Sequence, residues 1–103
     1  MPIGAAIRHH ATVADPSERV RRKAEALFGG SSPAVIVELA GVETGGQAAE
    51  RVHAAILISS RGEWSRFEDA VRLAELDWRD VLVGAGLGNE DWPQLVEDYL
   101  ASA

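Results

Sequence analysis

Residues 63–99 read EWSRFEDAVRLAELDWRDVLVGAGLGNEDWPQLVEDY, and the fold is decided here. Three times an acid is followed by Trp and, three residues after the Trp, by an apolar side chain. The units are Glu63-Trp64 with Phe67, Asp77-Trp78 with Val81, and Asp91-Trp92 with Leu95; the Trp-to-Trp interval is 14 residues both times. An acid at this place accepts bonds from unpaired backbone N–H groups and suits the positive end of the helix dipole. The expectation is a series of short helices whose Trp side chains share one core. In the first, Trp64, Phe67, Val71 and Ala74 follow at steps of 3, 4 and 3, with Arg66, Glu68, Asp69, Arg72 and Glu75 on the wet side. Asp77 and Asp80 then form a D-x-x-D cap pattern, so a new helix is expected to begin there and bury Val81, Leu82 and Ala85 beside Trp78. Gly84, Gly86 and Gly88 end it. The last helix starts near Asp91, carries Pro93 in its first turn, pairs Asp91 with Gln94 as a capping box, and buries Leu95, Val96, Tyr99 and Leu100.

Upstream, residues 15–28 predict a helix with Asp15 as N-cap, Pro16 at the first position and Glu18 completing a capping box. Val20, Ala24, Leu27 and Phe28 make its apolar face, and Gly29-Gly30 stops it. In residues 31–41, Ser32-Pro33 and Gly41 frame a helix, while Val35-Ile36-Val37 is a β-branched run that suits a strand. Helix is preferred, with a strand at 34–39 as the alternative. Residues 48–60 are apolar around most of a helical circumference, with Val52 and Ile56 in the core, as expected of the central helix of a bundle. Residues 1–14 alternate apolar and polar side chains and read as an N-terminal arm, free or paired as a strand near 3–13.

Together the runs Arg51-Val52-His53-Ala54-Ala55-Ile56-Leu57 and Asp77-Trp78-Arg79-Asp80-Val81-Leu82 resemble small bacterial proteins of unknown function. These carry an R-V-x-x-A-I-L helix and a D-[WY]-R-D-[VL]-L helix start. The resemblance covers about residues 48–88, implies an all-helical middle, and brings no activity, cofactor or catalytic residue. Ile58-Ser59-Ser60 departs from the polar segment usual there.

A chain of 103 residues is one domain by length, and without Cys it has neither disulfides nor thiolate metal sites. No signal peptide or membrane span is legible, which fits the cytoplasm. The net charge of −6 is uneven. Residues 1–30 carry five bases against three acids, a balance of +2, and residues 31–103 five Arg against thirteen acids, a balance of −8. An acidic body repels phosphate and argues against nucleic acid, and a basic head invites contact with an acidic body, within the chain or between copies.

The candidate sites are few. Val81-Leu82-Val83 followed by Gly84, Gly86 and Gly88 approaches a nucleotide-binding glycine loop, but the fingerprint's last glycine is Asn89 and no βαβ unit surrounds it. His9-His10 and His53 are the only imidazoles; Glu50 with His53 is an i, i+3 pair that lacks the second pair a bundle metal site needs. The carboxylates of Glu68, Asp69, Glu75, Asp77 and Asp80 read as solvated faces and caps. Ser31-Ser32, Ser59-Ser60 and Ser65 have no nucleophile context. Arg19, Arg21, Arg22 and Lys23 spread over most of a helix surface and lack the turn and partner helix of a DNA reader.

The resulting expectation is an all-α, single-domain bundle of five or six short helices over residues 15–103; a small α+β fold is the alternative. Its core includes Val52, Ile56, Trp78, Leu82, Leu95 and Tyr99. The expected function is non-enzymatic, a helical module working through contact with a protein partner or a second copy, with no cofactor and no metal. The expected interface draws on Arg19, Arg22, Trp64, Phe67, Val71 and the arm. The alternatives are a small ligand- or nucleotide-binding domain around Gly84–Asn89 and a DNA-associated regulator using Arg19–Lys23.

Overall fold

Helix α3 (Ala49–Ser60) is the axis around which the other elements are arranged. The computed structural model describes residues 13–102, and no strand occurs among them. In chain order the elements are α1 (Glu18–Phe28), a 3-10 turn (Gly29–Ser31), α2 (Ser32–Ala40), α3, α4 (Trp64–Gly84) and α5 (Trp92–Ala101). Val52, His53, Ala54, Ala55, Ile56 and Leu57 are buried in an unbroken run, because α3 is covered on several sides. It lies along α4 as the most extensive helix pair and also meets α1 and α5, while α2 packs on α1. Most of the N-terminal arm, and with it the strand expected near 3–13, falls outside the described residues.

The β-branched run in α2 is helical. Pro33 sits in the first turn and Gly41 caps the end, Val35 and Leu39 face the core, and Val37 is left outside. Tertiary burial of two large side chains outweighs a rotamer penalty of a few tenths of a kcal/mol per residue, about 0.5. α1 begins two residues later than expected. Ser17, not Asp15, is its cap: the Ser17 hydroxyl accepts a bond from the Val20 N–H at 3.3 Å. Asp15 is exposed ahead of it and Pro16 is buried.

The two helices expected at 63–76 and from Asp77 onward form one element with a kink. Asp77 alone within α4 has extended backbone, φ −161° and ψ 101°. Its Oδ1 accepts the Arg79 N–H at 3.0 Å, so the residue restarts the helix by capping it. The C-terminal end of α4 is a Schellman cap. The Gly86 N–H (φ +80°) donates to the Val83 carbonyl at 3.1 Å, and the Leu87 N–H donates to the Leu82 carbonyl at 2.8 Å. Leu87 and Leu82 are both buried. The glycine run is therefore a helix terminator, and the N–H groups of Gly86 and Leu87 are turned to α4 rather than to a phosphate.

The tryptophans start helical segments but do not share one core. Trp64 is 40% exposed and lies against Phe67, ring centroids 5.4 Å apart, while Phe67 is fully buried and meets Phe28 of α1 edge-on at 5.6 Å. Trp78 and Trp92 are half-buried lids on the core's margin. Leu95, expected inside, is 38% exposed because α5 turns Val96 and Leu100 inward instead; Tyr99 is half-buried. Val52, Ile56 and Leu82 are in the core as expected.

Candidate functional site

Two arginines, one on α1 and one on α3, organise the polar contacts between helices. Arg19 bridges α1 to α3 and α5: its Nε and Nη2 donate to the Glu50 carboxylate at 3.2 and 2.8 Å, and its Nη1 donates to Glu97 at 2.7 Å. The Ser17 hydroxyl donates to the same Glu50 carboxylate at 2.6 Å. Glu50 is thereby held below the usual carboxylate range, first by the Arg19 hydrogen bonds. One turn along α1, Lys23 is buried, donates to the Ser102 hydroxyl at 2.9 Å and lies 4.4 Å from the centre of the Tyr99 ring. Burial pushes the Tyr99 hydroxyl up to about 12. Arg22 pairs with Glu18 on its own helix. Much of the basic cluster of α1 is thus engaged within the chain, and Arg19 joins the basic head to Glu50 and Glu97 of the acidic body.

Arg51 stands in a different setting. Its Nε and Nη2 donate to the Leu87 carbonyl at 3.0 and 2.8 Å, its Nη1 donates to Gln47 Oε1 at 2.7 Å, and its guanidinium lies 4.8 Å from the Trp92 ring centre. It ties the end of α4 to α3, and among the described residues no carboxylate pairs with it. Beside it opens a cleft of about 360 Å³ whose walls include Gln47, Arg51, Trp78, Arg79, Leu82 and Val83. The loop before α3 closes on this cleft through Gly45. Its φ is +62°, and a Cβ there would fall 2.0 Å from Trp78 Nε1, so only glycine lets the loop lie against the indole.

The outer side of α4 carries a third feature. Leu73, Leu76 and Val83 are 39%, 80% and 71% exposed. Leu73 and Leu76 are one turn apart on the half of α4 before Asp77, while Val83 lies on the half after it and is a wall of the Arg51 cleft. Arg66, Arg72 and Arg79 pair with Glu63, Asp69 and Asp77, which leaves the carboxylates of Glu68, Glu75 and Asp80 without an ion-pair partner among the described residues. Next to Leu73 a hollow of about 270 Å³ is lined by Ser59, Arg66, Asp69, Ala70, Leu73 and Val81. Ala70 and Val81 belong to opposite halves of α4, so the kink at Asp77 shapes this hollow.

The residues expected at an interface separate. Trp64 is on the surface, whereas Phe67 and Val71 are buried. Arg19 is held by two carboxylates. His53 is fully buried, and neither ring nitrogen makes a hydrogen bond of good geometry among the described residues. Burial holds its pKa below the ordinary 6.5, against a weaker upward pull from the Leu39 backbone and Glu50. Glu50 turns to Arg19 and Ser17, so Glu50 and His53 do not converge as ligands. Among the described residues no three His, Asp or Glu side chains cluster for a metal ion, and no helix is long and apolar enough to cross a membrane. Ser60, fully buried, donates to the Leu57 carbonyl and accepts from the Gly62 N–H, which makes it part of the α3 terminus. The sequence reading assigned no site role to Gln47 or Leu76, placed Arg51 only in the resemblance motif, and placed Val83 only beside the glycine run. Gln47 and Arg51 are four residues apart, and Leu73 with Leu76 fell among polar side chains, so each carried only a local spacing signal. Compared with known proteins, the chain matches no family model, no curated protein and no solved structure.

Proposed function

We propose that this chain is a non-enzymatic helical module of the cytoplasm that acts by protein–protein contact, and that its docking surface is the outer side of α4. The carrying observation is Leu76, 80% exposed, one helical turn from exposed Leu73 and near the carboxylates of Glu68, Glu75 and Asp80, which have no ion-pair partner among the described residues. Exposed large apolar side chains grouped on one helix side mark interaction surfaces more often than scattered ones do. The charge selects the occupant. In a two-fold dimer this acidic side would meet its own copy, with like charges opposed. A basic amphipathic segment of a different protein supplies both missing partners: Lys or Arg for the carboxylates, and apolar side chains for Leu76 and the hollow at Leu73. The alternative of a DNA-associated regulator is weakened by the engagement of Arg19 and Lys23 inside the chain. The alternative of a small ligand-binding domain draws its support from the cleft at Arg51 rather than from the glycine run.

The test is titration of isotope-labelled protein with a synthetic helical peptide of Lys on one face and Leu on the other. Amide shifts confined to about residues 66–83, lost with a scrambled peptide of equal charge and lost in Leu76→Glu, are the expected result. Equal binding of the scrambled peptide, or a stable dimer by sedimentation that Leu76→Glu dissociates, overturns the reading.

A further inference from the structure

The cleft beside Arg51 is built from groups that attract one kind of molecule. Every polar side chain named on its walls offers hydrogen-bond donors, and none is a carboxylate, in a chain whose net charge is −6. Arg51 has five N–H donors, of which three are occupied by the Leu87 carbonyl and Gln47. Two remain, the number a carboxylate or phosphate takes from an arginine in a forked pair. Gln47 accepts from Arg51 through Oε1, which leaves its NH₂ as a further donor. Arg79 stands at the rim, 73% exposed, with its guanidinium 5.8 Å from the centre of the Trp78 ring.

The positive charge of Arg51 is only partly answered within the described residues. The carbonyl end of α4 supplies the equivalent of about half a negative charge, and the Trp92 face a weaker attraction. Neither is a counter-ion, whereas Arg19, Arg22, Arg66, Arg72 and Arg79 each have a carboxylate within 4.0 Å or less. The guanidinium is also held in place beforehand, between two acceptors and a ring, so binding would not have to order it. The rest of the cleft is apolar: Leu82 and Val83 from α4 and the indole of Trp78. Its 360 Å³ lies near the small end of the roughly 300–1,000 Å³ range of ligand pockets, which suits a metabolite better than a protein segment.

We propose that the cleft between α3 and the second half of α4 binds a small organic anion, its acid group held by Arg51, Gln47 and Arg79 and its flat apolar body laid along Trp78 and Leu82. Neither Leu73 nor Leu76 is a wall of this cleft, so either assignment can stand if the other fails. The acid group is a carboxylate or a phosphate, each of which presents two oxygens that an arginine fork matches.

The probes are benzoate, phenyl phosphate and neutral benzamide, titrated into the full labelled chain while the three indole N–H signals are followed. One or both anions are expected to shift the Trp78 signal saturably, with Trp64 unmoved and benzamide bound at least about ten-fold more weakly. The tighter anion identifies the acid group. Arg51→Gln removes the charge and is expected to abolish binding. Since it also loosens the Leu87 carbonyl, two milder variants accompany it. Arg51→Lys, which keeps the charge without the fork, should weaken binding about ten-fold, and Arg79→Gln, at an exposed position, about three-fold. Leu76→Glu should leave it unchanged. The proposal is overturned if neither anion produces a saturable shift up to about 20 mM. Equal binding of benzamide, shifts at Trp64 in place of Trp78, or full affinity in both Arg51→Lys and Arg79→Gln overturns it as well.

Discussion

Arg19 on α1 and Arg51 on α3 carry the same guanidinium into two settings. Arg19 meets Glu50 and Glu97, both carboxylates, and its charge is matched where it stands. Arg51 meets a backbone carbonyl, an amide oxygen and an indole face, all neutral. The first arrangement clamps three helices together and presents nothing further to solution. The second also joins elements, α3 to the end of α4, but leaves unanswered charge beside a cleft. Which role an arginine takes is decided by the sign and number of its acceptors, and these come from residues distant in sequence.

The comparison can be broken most severely at Gly45, which shapes the Arg51 side alone. Gly45→Ala imposes a left-handed backbone on a Cβ and drives that Cβ into the Trp78 indole. It is expected to cost about 3 kcal/mol in urea unfolding, with a changed Trp emission in the native baseline. Next in size is Arg51→Met. It leaves the buried Leu87 carbonyl without its donors, and a loss of about 2 kcal/mol is expected. That loss should change little between low and high salt, because the acceptors are neutral.

A pH titration probes the ground between the two arginines, where Glu50 and His53 sit one turn apart on α3. The folded pKa of His53 lies below the ordinary 6.5. Below that value the unfolded chain takes up a proton that native His53 refuses, so melting temperature should fall as pH drops from 7.5 to 5. His53→Leu should flatten this slope. Glu50 is depressed as well, and its contribution is present above its ordinary 4.5 and lost only as pH falls further. A slope retained in His53→Leu above pH 5 would mean that His53 is not its source. The smallest effect is expected for Arg19→Met. The Arg19–Glu50 pair is half-buried and the Arg19–Glu97 pair lies open to solvent, so the melting temperature should drop slightly at low ionic strength and by less in high salt, which screens the outer pair. A larger loss than for Arg51→Met would reverse the comparison.

Much of the helical layout was legible. Proline at first-turn positions, acid–Trp pairs at helix starts and glycine after helix ends are short-range signals, and α2, α3, α4 and α5 follow them. Local capping chemistry also placed the break at Asp77, although the chain continues through it as a kink. The cap of α1 was misplaced, since Ser17 and Asp15 are both good caps and Glu50, from α3, engages Ser17. The site was mostly illegible. Arg51 reads as an ordinary helical arginine until Leu87, 36 residues on, turns its carbonyl toward it.

Sequence by itself determined that this chain is helical and roughly where most of its helices lie, because prolines, glycines and apolar spacing act within a few residues. Only the tertiary structure decided which tryptophan faces water, which arginine is neutralised and which leucines are left outside. Those outcomes depend on which helices meet and at what rotation, and a helical period of 3.6 residues leaves more than one apolar side to choose from.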